Sequence, residues 1–323
     1  MRLVSLVLVF IFIAFSSFLA TLPPYNSYNH GDIVQQIQTG DFDSRERKNT
    51  LLANNLLLNH IVQDNQKISG HQGYSRINLS SLSVRPTDFV TRWDTNITNS
   101  QSTPSNQIRL PLQASGSYNF TVNWGDGTNS FITQHNQPEV THTFPNSGEY
   151  TVIISGRIKG WQFLAPSDTQ KLIELAQWGT LNLGNSGSYF YGSINMVLTA
   201  TDPLDLNGRT NFYRAFLGCV NIGSSGNMNK WNVSAVTDMS LMFYGANSFN
   251  SPLNEWMVSS VTNMKNMFFS ADSFSQPINN WNVSSVTNMQ GMFSNAYSFD
   301  QPLDDWNVSH VMTMAYMFDS CMT

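Results

Sequence analysis

The sequence predicts a multidomain chain in which an all-β sandwich precedes a repeat solenoid of about six coils. Two observations support this fold class. Apolar residues alternate with a period of two between residues 88 and 158, and a 25-residue motif recurs between residues 231 and 318. Regular short strands are typical of a β-sandwich. A fixed short period indicates a solenoid, because so small a unit buries its apolar face only against its neighbours.

The composition excludes some classes of function. Charged residues make up 11% of the 323 residues and the formal net charge is −5, so no basic surface for nucleic acid is expected. Two cysteines do not make a disulfide framework. Cys219 and Cys321 lie four coils apart, and coils at strand spacing would separate them by about 20 Å, so we expect buried free thiols.

The N-terminus predicts export. Met1 and Arg2 precede an apolar run that ends at Ala20, which is typical of a secretory signal peptide at residues 1–20. A signal anchor is the alternative, because the run approaches the length that spans a bilayer. No transmembrane segment is expected after the signal. Residues 21–87 are predicted to be a linker with one possible helix at residues 44–64, which packs on its own chain or binds a partner.

Residues 88–158 are predicted to be a β-sandwich of short strands. The hairpin signal is the pair Asp126 and Gly127, because such a pair tolerates the positive φ of a tight turn. The alternative role for Asp126 is that of a calcium ligand. One carboxylate does not supply the six oxygens of a calcium site, so the turn role is favoured.

Residues 159–323 are predicted to be the solenoid, with an incomplete C-terminal coil. Four copies of the motif begin at the tryptophans Trp231, Trp256, Trp281 and Trp306. A phenylalanine that recurs in each copy also marks two degenerate coils, at Phe190 and Phe216. The paired methionines of each copy are interpreted as core, since methionine fills irregular interior space. The tryptophans are interpreted as cover for the edge of the solenoid, with a sugar-stacking face as the alternative.

Two resemblances follow from these motifs. Residues 124–128 (Trp-Gly-Asp-Gly-Thr), 142–144 (His-Thr-Phe) and 148–154 (Gly-Glu-Tyr-Thr-Val-Ile-Ile) resemble a PKD domain, an immunoglobulin-like sandwich. The repeat Trp-Asn-Val-Ser-Ser-Val-Thr-Asn-Met resembles the BspA-like leucine-rich-repeat surface proteins, and residues 171–179 resemble the segment that joins the two modules. The resemblance implies a PKD-like sandwich, a leucine-rich-repeat-like solenoid and an extracellular, non-enzymatic protein that is often associated with adhesion.

Positions that stacking leaves unfixed are free to specify a partner, and exposed aromatic residues bury a large area at low entropy cost. The candidate binding face therefore comprises Tyr244, Phe269, Tyr297 and Tyr316. Six Asn-x-Ser/Thr motifs are candidate glycosylation sites, at Asn78, Asn96, Asn119, Asn232, Asn282 and Asn307. Three of them belong to the repeat, where the asparagine alternatively hydrogen-bonds between coils.

No catalytic, metal-binding or cofactor-binding motif is found. The six histidines lack metal-ligand spacing, and no nucleophile elbow, phosphate loop or dinucleotide fingerprint occurs. The sequence therefore predicts a non-enzymatic, secreted or cell-surface protein that binds an extracellular protein or glycan through the solenoid and needs no cofactor. Two alternatives stay open: a structural, self-associating surface component, and the substrate-recognition part of a larger extracellular enzyme.

Overall fold

The computed structural model describes residues 84–164 and 167–321. The predicted signal peptide at residues 1–20, the predicted helix at residues 44–64 and the motif at Asn78 lie outside the described residues. Within the described ranges, no helix has the length and apolarity needed to cross a bilayer.

Nine strands precede residue 199. They are β1 (Phe89–Asp94), β2 (Gln107–Arg109), β3 (Leu112–Asn123), β4 (Asn129–Ile132), β5 (Thr141–Thr143), β6 (Glu149–Trp161), β7 (Leu172–Gln177), β8 (Leu181–Asn182) and β9 (Val197–Leu198). Helical structure in the described residues is confined to three single turns of 3-10 helix, at Pro138–Val140, Thr169–Lys171 and Met228–Lys230.

Seven of the strands form one mixed sheet. Its order is β4-β3-β6-β1-β7-β9, and β8 pairs with β6. The pairs β6–β8 and β7–β9 are parallel, whereas β6 is antiparallel to both β1 and β3. Strands β2 and β5 form a separate two-stranded antiparallel sheet. Successive side chains of a strand point to opposite faces, and Phe120, Val122 and Trp93 are buried in the core.

The predicted fold class is wrong in its first half, the PKD- or immunoglobulin-like sandwich at residues 88–158. The mixed sheet continues beyond residue 158 to Leu198. The sheet extends because β1 pairs with β6 along one edge and with β7 along the other, where Arg92 lies opposite Glu174. Alternation of apolar residues predicts where strands occur, but the choice of partner depends on which edges meet in space.

The second half of the predicted fold class, a leucine-rich-repeat-like solenoid of about six coils, is also not seen. Beyond β9 no described residue belongs to a strand, and β-pairing between the described repeats is limited to single parallel bridges that join residues 211, 238, 263, 288 and 313. Each repeat contains two left-handed residues, such as Asn266 (φ 52°) and Ser270 (φ 51°). Left-handed residues interrupt an extended strand, so the period is built from turns.

We call residues 210–321 the repeat stack. Alternate backbone N–H groups of one repeat donate to carbonyls of the next, as Met239 donates to Asn263 at 3.0 Å and Phe243 donates to Met267 at 2.9 Å. The recurring phenylalanines stack in a column, and Phe268 lies 5.7 Å from the rings of both Phe243 and Phe293. Backbone ladders and ring columns therefore run the length of the stack.

The sheet and the repeat stack share one hydrophobic core. Phe190 lies at the junction, where its ring is 5.5 Å from Phe216 of the first stacked repeats. On its other side it contacts Trp178 at 5.8 Å and Trp161, at the end of β6, at 6.5 Å. The stack is thus covered at this end by Trp161 of β6 and by aromatic residues of the segments that connect β7, β8 and β9.

Candidate functional site

Two of the four predicted binding residues form a pair. The rings of Tyr244 and Phe269 are stacked, with centroids 4.5 Å apart and an interplanar angle of 1°. Both side chains are partly buried, and burial raises the pKa of Tyr244. They occupy the same position in successive repeats, directly after the buried phenylalanine. In the next repeat that position holds Ser294, which ends the aromatic column.

The other two predicted binding residues lie in different columns. Tyr297 follows the small residue of its repeat, and its hydroxyl lies 3.3 Å from Asn295 Oδ1. Tyr316 occupies the left-handed position (φ 59°) and is 70% exposed. The structure therefore brings Tyr244 and Phe269 together, but it does not place all four aromatic residues on one continuous face.

A carboxyl group shares the column of Tyr297. Asn247 Nδ2 donates to Asp272 Oδ2 at 2.7 Å in the neighbouring repeat. Burial raises the pKa of the Asp272 carboxyl to about 6, although the hydrogen bond from Asn247 lowers it. This surface therefore changes charge at mildly acidic pH.

The tryptophans and methionines of the repeat lie inside the stack. Trp231, Trp256 and Trp281 are each at most 3% exposed, and the indole of Trp256 donates to the Met228 carbonyl at 2.8 Å. A sugar cannot stack on rings that are covered in this way. The cysteines are free, as expected, with Cys219 buried and Cys321 partly buried.

The repeat asparagines that belong to glycosylation motifs are exposed. Asn232 Oδ1 accepts hydrogen bonds from Ser234 Oγ at 2.7 Å and Ser234 N–H at 3.2 Å, and Asn282 makes the same turn with Ser284. These bonds lie within one repeat and not between repeats. Asn307, Asn96 and Asn119 are also exposed, whereas Asn78 is outside the described range. Glycosylation at these positions stays a prediction.

Asp126 has the turn role that the sequence favours. Its carboxylate accepts hydrogen bonds from Thr128 Oγ1 at 2.6 Å and lies 2.8 Å from His142 Nε2, while the ring of His142 stacks on Trp124 at 4.5 Å. Across residues 84–164 and 167–321, no three His, Cys, Asp or Glu side chains are grouped so as to hold a metal ion.

Sequence reasoning missed a polar groove on the repeat stack. Its lining includes Tyr213, Arg214, Asp238 and Lys265, and its volume is about 570 Å³. A signal for it was present in the sequence, because residues 199–323 contain only four Lys or Arg residues. Two of these four line the groove.

The described chain thus combines a mixed β-sheet with a stack of 25-residue repeats, and the two share one hydrophobic core. Residues 210–323 match the family model DUF285, described as a Mycoplasma protein of unknown function. The match covers about a third of the chain and includes the repeat stack, not the sheet. No curated protein and no solved structure matches the chain.

Proposed function

We propose that this protein is a non-enzymatic binding protein, secreted or displayed at the cell surface, whose repeat stack presents side chains to an extracellular protein or glycan. The observation that carries the proposal is the Tyr244–Phe269 pair. Every other recurring aromatic of the complete repeats is buried, whereas this pair lies at the surface at a position that the stacking leaves free to vary. Stacked aromatic residues are frequent anchors of binding sites.

The resemblance of the repeat motif to BspA-like surface proteins supports the extracellular location. The charge content of 11% also suits a surface whose solubility comes from amide and hydroxyl groups. Both the location and the absence of enzymatic activity are part of the proposal.

The test is an array of glycans and extracellular proteins probed with the full chain and with a Tyr244→Ala/Phe269→Ala double variant. We expect the double variant to lose binding to the ligand that the parent chain selects. The matched control is Phe131→Ala on β4, because that ring is 58% exposed and lies outside the repeat stack. Equal binding of every selected ligand by the parent chain and the double variant would refute this site.

A further inference from the structure

A polar groove crosses three successive repeats of the stack, and its lining does not include Tyr244 or Phe269. Parallel bridges join Asn211 to Asp238 and Asp238 to Asn263, so these three side chains lie next to one another. Tyr213, Arg214 and Lys265 complete this part of the lining. With a volume of about 570 Å³, the groove is in the size range of small-ligand sites.

The asparagines of the groove present hydrogen-bond donors. The backbone N–H of Tyr213 donates to Asn211 Oδ1 at 2.8 Å, and the N–H of Lys265 donates to Asn263 Oδ1 at 3.2 Å. Only the oxygen of a side-chain amide accepts, so each of these bonds fixes the orientation of its amide. The two Nδ2 groups make no hydrogen bond to other described residues and are available to a ligand.

The cations of the groove also lack partners in the part of the chain that the structure describes. Residues 199–323 contain two other Lys or Arg residues, and both have partners. Arg209 donates to the Gly184 carbonyl at 2.8 Å, and Lys230 pairs with Glu255 at 2.7 Å. Arg214 and Lys265 form no such pair. Arg214 Nε is buried without a hydrogen-bond partner, and its guanidinium lies 4.8 Å from the centroid of the Tyr213 ring.

The Arg214 side chain as a whole is only partly buried, so the remainder of its guanidinium is open to an acceptor on a ligand. The groove combines two cations and two amide donors with one carboxylate, that of Asp238. Asp238 Oδ1 accepts from the N–H of Ser240 at 2.8 Å, which leaves the second oxygen available. This set of groups matches a ligand with one negative charge and several hydroxyl groups.

We propose that this groove binds a sugar unit that carries a carboxylate. Arg214 and Lys265 contact the carboxylate, while Asn211, Asn263 and Asp238 contact the ring hydroxyls. Asp238 disfavours an acidic peptide, because a second carboxylate of the peptide would approach a like charge. The inference rests on the proposed ligand-binding function, but it assigns a ligand class to a different surface from the aromatic pair.

The experiment is calorimetric titration of the full chain with a trisaccharide in which one unit is galacturonic acid and two are galactose, a neutral galactose trisaccharide and a glutamate-rich peptide. We expect binding of the acidic trisaccharide alone, with an affinity that falls as NaCl is raised. Arg214→Asn and Lys265→Gln should each weaken it by about tenfold or more, because each removes a charge-assisted hydrogen bond. Asparagine suits position 214, where φ is 55°.

The control for charge is Lys230→Gln, which removes a cation of the same stack outside the groove and should leave binding unchanged. Tyr244→Ala/Phe269→Ala should also leave binding of the acidic trisaccharide unchanged. Failure of the acidic trisaccharide to bind, equal binding of the neutral one, or binding of the peptide instead overturns the inference. Ligand binding through the aromatic pair would survive each of these results, so the two proposals fail separately.

Discussion

Lys171 is a fully buried lysine directly before β7, and it forms hydrogen bonds with the segment at residues 103–107. Its Nζ donates to the carbonyls of Pro104 and Gln107 at 2.7 Å each and to the Thr103 carbonyl at 2.9 Å. Asp168 lies 3.8 Å away and accepts from the N–H of Thr103 at 2.8 Å. Burial lowers the pKa of Lys171, while the Asp168 carboxylate opposes that shift. This single side chain therefore supplies hydrogen-bond donors to three backbone carbonyls in residues 103–107.

Replacement of this lysine should be severely destabilising. We expect Lys171→Met to lower the free energy of unfolding by about 3 kcal/mol or more, because it leaves a buried carboxylate uncompensated and carbonyls unsatisfied. Urea denaturation measures the change. The matched variant Lys230→Met removes an exposed ion pair and should cost less than about 1 kcal/mol. Similar losses in the two variants would contradict this account of the buried network.

At the scale of the element, the hairpin turn between β3 and β4 is held by charge as well as by conformation. Gly125 and Gly127 have φ values of 84° and 91°, which suits the turn that the sequence predicts. Burial raises the pKa of Asp126, but hydrogen bonds from Thr128 and His142 outweigh it, so the pKa lies below its ordinary value. The turn thus depends on an ionised Asp126.

The stability of this turn should depend on pH in one direction. A carboxyl whose pKa is lowered by folding contributes stability above its unfolded pKa, about 3.9, and loses it as pH falls through the folded value. Asp126→Asn should therefore be less stable than the parent at pH 7, with a gap that narrows below about pH 4. Unfolding free energies from pH 7 to 2.5 measure this gap. A gap that is constant over this range would contradict the expected role of the charge.

At the scale of the whole molecule, the sheet and the repeat stack are connected by one aromatic core. Phe190 is completely buried between Trp178 on one side and Phe216 on the other. Backbone bonds in the stack run in both directions, since the N–H of Met264 donates to Asn288 of the following repeat and the N–H of Thr262 donates to Thr237 of the preceding one, each at 2.9 Å. Each repeat therefore depends on its neighbours, and the first ones depend on the sheet.

This continuity predicts cooperative unfolding. Phe190→Ala should cost about 3–5 kcal/mol, the usual range for a large aromatic residue removed from a core. Hydrogen exchange should accelerate together in β6 and in residues 239–269 if one core supports both. Leu164→Ala is the control, because Leu164 is 59% exposed. Faster exchange in β6 alone would show that the two parts unfold independently.

Much of the burial pattern was predictable from sequence. The 25-residue period alone places Met239, Met242 and Phe243 in the interior, and all three are completely buried. The same period separates the two cysteines, which are free in the structure. These features are local, because a residue that recurs at one register position meets its own copies when neighbouring units stack.

The candidate sites were less predictable. Tyr244 and Phe269 share a register position and stack, whereas Tyr297 and Tyr316 occupy other positions and do not join them. The groove was not predicted because its cations, Arg214 and Lys265, lie two repeats apart in the sequence. Only the stacking of the repeats places both side chains in the lining of one groove.

By itself, the sequence determined the period of the repeats, the identity of the buried columns and the tight turn at Asp126. Only the packed fold established that β1 pairs with β7 in a mixed sheet, and that the repeats are built from turns with left-handed residues and not from leucine-rich-repeat strands. The physical reason is that periodicity reports which side chains avoid water, whereas backbone hydrogen bonds form between whichever edges the packed core brings together.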